Sequence, residues 1–410
     1  MAIETIIVGG GQAGLAASYY LTQYGHPHVV LEQAARAGNA WRNERWDSFT
    51  WVIPNSVMRL PGLDNPSSDP DGYLPRDQIV RYFEDYVERF KLPVRFGVRV
   101  TAIEQAASGY CVVTGDETLE AANVVVATGG YFQIPKVPAF SRSLPGDIVQ
   151  LHSGQYRNPQ SLPPGAVLVV GSGQSGCQIA EDLYRSGRKV YLSVGGAGRA
   201  PRRYRGVDSF IWLKRIGFLD RTVDMLPSPE AKFVPAPQLT GAYGGHTINL
   251  HQFARDGVVL LGHIRDIQGE KIRLALDLKD SLAKADKIEA DLIAAIDAYV
   301  ERNGLNLPPE RLPELRDGYE AQDMPELDLS AAGIASVIWA TGYSFDYSLV
   351  KLPIFDADGL PITKRGVVAE YPGMYFLGIL WMDKFESGFL SVIGESASHI
   401  IKDIIGRSKA

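Results

Sequence analysis

An α/β fold built from two parallel-sheet units is predicted by three features of this 410-residue chain. A glycine turn, Gly9-Gly10-Gly11-Gln12-Ala13-Gly14, lies near its start. A second, Gly171-Ser172-Gly173-Gln174-Ser175-Gly176, lies near its middle. Each follows an apolar run and precedes an amphipathic stretch. Each unit also closes on a matching segment, Ala127-Thr128-Gly129-Gly130 and Ala340-Thr341-Gly342-Tyr343. One such turn is weak evidence, because loops are rich in glycine. Two in the same context point to a pair of Rossmann-like dinucleotide-binding domains facing one another, and so to electron traffic between two dinucleotides.

The first unit reads in order. Glu4 to Val8 is a buried parallel strand, Leu15 to Tyr24 a helix ended by Gly25, and Val29 to Glu32 the second strand. Glu32 stands at the tip, 18 residues beyond Gly14, where an acid accepts hydrogen bonds from an adenosine ribose. A helix is expected from Gln78 to Phe90. Val94 to Glu104, Gly109 to Thr114 and Val124 to Ala127 are expected as a three-strand meander.

The second unit repeats the plan, with a strand from Ala166 to Val170, a helix from Cys177 to Arg185 and a strand from Lys189 to Val194. Ser193 is placed at the tip instead of an acid, followed by Gly195-Gly196 and then Arg199, Arg202, Arg203 and Arg205. An acid repels a 2′-phosphate, whereas a hydroxyl followed by guanidinium groups attracts one. FAD is therefore assigned to the first unit and NADPH to the second. A plain solvated basic loop is the competing account of the arginines. The expected domains are 1–162 with 346–410 for FAD, and 163–345 for NADPH. Helical insertions are expected at about 205–235 and 279–310, where Lys279 to Asn303 is patterned as a long surface helix. Pro201 to Pro237 is expected as a lid or interface element. Gly373 to Gly378 is expected as a strand beside the flavin, and Glu395 to Ile405 as the terminal helix.

Composition narrows the function classes. A formal charge of −6 argues against a general nucleic-acid binder. Cys111 and Cys177 form no CxxC pair, which fits a reducing cytoplasm and removes the dithiol of a disulphide reductase. The histidines lack metal-ligand spacing, so no metal site is expected. No run is apolar for the length a membrane span needs. The apolar start is read as a strand rather than a signal peptide, and a cytoplasmic location is expected.

With both turns, both Ala-Thr-Gly segments and no CxxC pair, the chain resembles the class B flavoprotein monooxygenases. These include the flavin-containing monooxygenases, the plant YUCCA enzymes and the Baeyer–Villiger enzymes. Gly38-Asn39-Ala40-Trp41-Arg42 matches that family's GGxW segment, and Asn55 resembles the asparagine it places near the flavin's reactive edge. The FxGxxxHxxxW fingerprint survives only as His152-Ser153-Gly154-Gln155-Tyr156, with Tyr156 for the tryptophan, a form nearer the flavin-containing and YUCCA branch. His152 is expected to be a hydrogen-bonding hinge residue between the domains.

The resemblance implies a glutathione-reductase-like arrangement of the two domains. It implies an NADPH-using enzyme that forms a C4a-(hydro)peroxyflavin and oxygenates a small organic substrate at nitrogen, sulfur or a carbonyl, with molecular oxygen as co-substrate. Asn55 is the catalytic candidate. Expected cofactor contacts in the first unit are Gly9, Gly11, Gln12, Ala13, Gly14, Glu32, Gln33, Asn39, Trp41, Val100, Ala127, Thr128, Gly129 and Gly378. In the second they are Gly171, Gly173, Gln174, Ser175, Gly176, Ser193, Arg199, Arg202, Arg203, Ala340, Thr341 and Gly342. Trp381 is expected either to line a pocket or to pack in the core, and Asp383 and Glu386 to be surface or supporting charges. A homodimer is compatible with the sequence but not fixed by it. Two alternatives stay open. One is a flavin reductase or oxidase that releases hydrogen peroxide or passes electrons elsewhere; the other is an idle flavoprotein that senses redox state or scaffolds a partner.

Overall fold

Runs such as Thr5–Val8, Asn123–Val126 and Ala166–Val170 are buried at every residue, which suits strands covered on both faces by helices. They form the centres of two five-stranded parallel sheets in the computed structural model, which describes residues 3–130, 133–234 and 236–408. The first sheet runs, in spatial order, Met374–Phe376, Asn123–Val126, Thr5–Val8, His28–Glu32 and Val94–Phe96. The second runs Val259–Leu261, Val190–Ser193, Ala166–Val170, Ile334–Trp339 and Val149–His152. Each sheet thus borrows an edge strand from outside its own central run. Residues 374–376 return to the first sheet, and residues 149–152 join the second although the sequence placed them in the first domain.

Both glycine turns lead straight into helices, Gln12–Gln23 and Gln174–Arg185. The first of these packs against the terminal helix Ile393–Arg407. The expected meander is corrected. Val94–Phe96 is the edge of the parallel sheet and Asn123–Val126 is one of its inner strands. The antiparallel meander is Val100–Gln105, Tyr110–Thr114 and Thr118–Ala121. A short apolar run next to a turn fits either kind of strand, and pairing alone decides. The second unit has its own meander, Ile264–Gln268, Lys271–Leu274 and Glu326–Asp328. Between its last two strands the chain inserts the helix Leu278–Arg302. That helix buries Leu278, Leu282, Ala285, Leu292, Ile296 and Val300 along one face, so it covers the domain rather than standing free.

Candidate functional site

The two turns are geometrically alike, and each glycine has its own reason. Gly9 and Gly171 have φ of +107° and +102°, which side-chain-bearing residues rarely adopt. A Cβ on either would also collide with a carbonyl oxygen of the closing segment, that of Ala127 or Ala340. A Cβ on Gly14 or Gly176 would strike the carbonyl of Gly9 or Gly171, so these glycines let the helix lie against the strand end. Gly11 and Gly173 differ: a Cβ on either meets nothing within 4 Å. Their backbones face open space at a helix N-terminus, where peptide N–H groups and the helix dipole favour a pyrophosphate. Gln12 and Gln174 open their helices alike and grip facing segments. Gln12 Nε2 donates to the Gly388 carbonyl at 2.6 Å, and Gln174 Oε1 accepts from Leu239 N–H at 2.7 Å. Ala13 is buried under the turn against Gly378, and Ser175 stays half-buried at the second.

The strand tips diverge. Glu32 curls over the first turn, its Oε2 accepting from Gly10 N–H at 2.6 Å and its Oε1 from Ala34 N–H at 2.7 Å. Gln33 is exposed beside it. Val98 N–H meets the Glu32 carbonyl, and Val100 pairs with Thr114 at the start of the meander. In the second unit the register puts Val170 opposite Ser193, as Val8 stands opposite Leu31. Ser193 is therefore level with Leu31, and the residue level with Glu32 is Val194. Successive strand side chains alternate faces, so the Ser193 hydroxyl is buried and donates to the Gly262 carbonyl at 2.9 Å.

The arginines that follow the tip all hold protein partners. Arg199 is buried between Asp286 and Glu289 of the inserted helix, each at 2.7 Å. Burial opposes its charge, but those carboxylates outweigh burial and hold its pKa above the ordinary value. Arg202 is 2% exposed; it pairs with Asp208 at 2.5 Å, donates to the Val52 and Thr240 carbonyls, and lies over the Tyr73 ring. Arg203 donates to the Asp71 carbonyl at 2.9 Å. Arg205 pairs with Asp297. These side chains join the units to each other and to the insertion, so a plain solvated loop does not describe them.

The flavin side of the seam gathers residues from distant segments. Asn39 opens the short helix Asn39–Asn43, and Trp41 lies 4.3 Å from Trp51, ring centre to ring centre. Asn55 is buried on a 3₁₀ turn. Its Nδ2 donates to Asp69 O at 2.9 Å and Ser67 Oγ at 3.0 Å. A peptide carbonyl can only accept, so the atom facing Asp69 is the amide nitrogen and the oxygen is the free end. Asn55 Oδ1 and Trp51 Nε1 are both buried without a partner among the described residues. A buried acceptor and a buried donor left open on one loop fit a bound group that supplies both complements. Trp51 was invisible in sequence, since no motif marks it. Trp381 is nearly buried, and its Nε1 donates to Lys232 O at 2.9 Å, tying the 205–235 segment to the flavin side. Glu386 is not a surface charge; it is buried, with Lys214 and Lys384 (2.8 Å) as partners.

The closing segments are tied to the residues that follow the first of them. Gly129 and Gly342 both have positive φ. Gln133 reaches the Gly129 carbonyl, and Thr128 Oγ1 lies 3.3 Å from Gln133 Nε2. Thr341 Oγ1 donates to Lys136 O. Gly154 N–H donates to His152 Nδ1 at 3.3 Å, which leaves Nε2 to donate to the Gly342 carbonyl at 3.0 Å. Burial holds the His152 pKa below its ordinary value, which favours a neutral imidazole in these hydrogen bonds. Tyr156 donates to Asp182 at 2.6 Å.

A family model described as pyridine nucleotide-disulphide oxidoreductase matches residues 6–214, half of the chain. The chain belongs to that family. An uncharacterized oxidoreductase, CzcO-like, of Geobacillus kaustophilus is 32% identical over 405 residues, 98% of each chain. Indole-3-pyruvate monooxygenase YUCCA1 of Oryza sativa subsp. japonica is 34% identical over 209 residues, 50% of this chain and 51% of that protein. The flavin-containing monooxygenase of Stenotrophomonas maltophilia shares the fold with a TM-score of 0.68 over 99% of each chain, at 19% identity. The chain is a flavin-dependent oxidoreductase, its family uses FAD and NADPH, and the resemblance to the class B flavoprotein monooxygenases holds. Among the described residues no helix is long and apolar enough to cross a membrane. No group of three or more His, Cys, Asp or Glu among them is placed to hold a metal.

Proposed function

We propose that this chain is an NADPH-dependent flavin monooxygenase that inserts one oxygen atom of O₂ into a small organic substrate at nitrogen or sulfur. The observation that carries this is the doubled cradle without a dithiol. Cys177 is fully buried in the second unit's helix, where burial drives its thiol pKa far up, and Cys111 sits in the first unit's meander. Neither is a relay for electrons, so a reduced flavin has to meet a diffusible acceptor.

Gly9, Gly11 and Gly14 would hold the FAD pyrophosphate and Glu32 its ribose; Gly171, Gly173 and Gly176 would hold NADPH. Bound FAD supplies hydride acceptance and the activation of oxygen. The chain supplies orientation and apolar surface, with Trp41 and Trp51 packed on one another. Asn55 adds a preference. Its open atom is an acceptor, so it holds an oxygen that carries a proton and gives nothing to an anionic one. A protonated oxygen donor is attacked by soft nitrogen or sulfur, whereas attack on a carbonyl needs the deprotonated form.

The test is anaerobic reduction with NADPH followed by mixing with oxygenated buffer under stopped flow. Return of the oxidised flavin spectrum through a lasting species with its own absorbance band, with peroxide released slowly, supports oxygenation. Immediate reoxidation with stoichiometric peroxide supports the oxidase alternative.

A further inference from the structure

We propose that Lys284, aided by His263, recognises the 2′-phosphate of NADPH at the second cradle. The proposal rests on NADPH use by this chain and replaces the arginines that follow the strand tip.

The positions level with one another in the two units carry the inference. In the first, Gly10, Glu32 and Ala34 enclose a carboxylate that takes up both backbone N–H groups. In the second, the level positions are Ser172, Val194 and Gly196. No acid occupies this space. Ser172 Oγ accepts from Gly195 N–H at 2.9 Å, and Gly196 N–H donates to nothing among the described residues. An adenosine carrying an extra phosphate at this point meets the open Gly196 N–H instead of a negative charge.

Gly195 and Gly196 bring no side chains of their own, and a lysine and an imidazole reach them from elsewhere. A Cβ on Gly196 would lie 3.3 Å from Lys284 Nζ. One on Gly195 would lie 3.7 Å from His263 Nε2. Lys284 has no carboxylate within 4 Å among the described residues, whereas Lys279 and Lys287 of the same helix are paired with Asp323 and Asp291. His263 is fixed through Nδ1 to Asp277 at 2.9 Å, which leaves Nε2 on the glycine side. Both oxygens of Asp277 are taken by His263, the second by the backbone N–H at 3.0 Å. The four arginines near the tip hold protein partners and are spent on the fold.

The experiment measures binding rather than turnover. Calorimetric titration of the flavin-loaded enzyme with 2′,5′-ADP and with 5′-AMP isolates the 2′-phosphate. The wild type is expected to prefer 2′,5′-ADP by about tenfold or more, the scale of one charge-assisted contact. Lys284→Glu is expected to remove about tenfold of that affinity and to change 5′-AMP by less than about twofold. Lys284→Arg is expected to keep the preference, and Arg203→Ala to leave it unchanged. Lys284 is exposed, so these variants fold. A Lys284→Glu protein with an unaltered preference overturns the proposal, as does equal weakening of both ligands. A wild type that prefers neither ligand overturns NADPH use itself, and this assignment with it.

Discussion

In the first unit the last two meander strands, Tyr110–Thr114 and Thr118–Ala121, are joined by Gly115, Asp116 and Glu117. In the second the same connection runs from Ala275 to Pro325 and carries a 25-residue helix. The cradles beneath these connections are nearly superimposable in logic: one glycine at positive φ, one facing open space, one pressed on the first. What differs is what surrounds them. The cradle is fixed by backbone geometry at its first and third glycines, which a side chain would break; the surroundings hang on turns, where insertions are cheap and specificity is free to change.

The most severe way to break the equivalence is to fill the third glycine. Gly14→Ala and Gly176→Ala each press a methyl group on a peptide carbonyl that cannot yield. Each is expected to cost about 3 kcal/mol or more in urea unfolding, with similar effects in both units. A variant of wild-type stability would show that helix and strand do not sit as described.

Next in size is Arg202→Met. Removing this guanidinium leaves Asp208, 4% exposed, as an unpaired buried carboxylate. About 3 kcal/mol of stability should be lost. The ratio of KM for NADPH to KM for NADH should stay constant, against the sequence-based expectation that this arginine reads the 2′-phosphate. A changed ratio with unchanged stability would restore that earlier role.

A smaller effect separates the tips. Glu32→Gln keeps the shape but weakens acceptance from a ribose, and should loosen FAD by about tenfold in a fluorescence titration. Val194→Gln should leave FAD binding alone. Equal responses would mean that the two tips are not specialised.

The smallest is a pH effect shared by both units. Burial lowers the pKa of His26, His28, His152 and His399. The unfolded chain then binds more protons than the folded one just below the ordinary histidine value. Stability should therefore rise with pH through that window and fall as the pH drops below about 6.5. Thermal melts at fixed ionic strength check it; a Tm that climbs on mild acidification contradicts it.

Much of this was legible in the sequence because it is local. The glycine turns, the strands that precede them and the helices that follow need only a dozen consecutive residues to specify them. Ser193 was misplaced by a single position, since sequence gives the strand but not the register that sets Val170 against it. A slip of one residue turns a side chain to the other face. The partners of the arginines were hidden for a different reason. Their partners, Asp286, Asp208, Val52 and Asp71, lie on four other segments, some more than eighty positions away. No pattern in the run Arg199 to Arg205 distinguishes a guanidinium that holds the fold from one that waits for a ligand. Lys284 was missed because the helix that carries it reads only as surface.

The central claim, one flavin cradle and one nicotinamide cradle in a single chain, is tested most directly by cofactor stoichiometry after reconstitution. The wild type should hold one FAD per chain and bind NADP⁺. Gly11→Ala should fold yet hold no FAD, and Gly173→Ala should hold FAD yet fail to bind NADP⁺, because each methyl group enters the open space of one cradle alone. Wild-type protein that stays colourless after reconstitution, or a Gly173→Ala protein that loses its flavin while Gly11→Ala keeps it, would contradict the account.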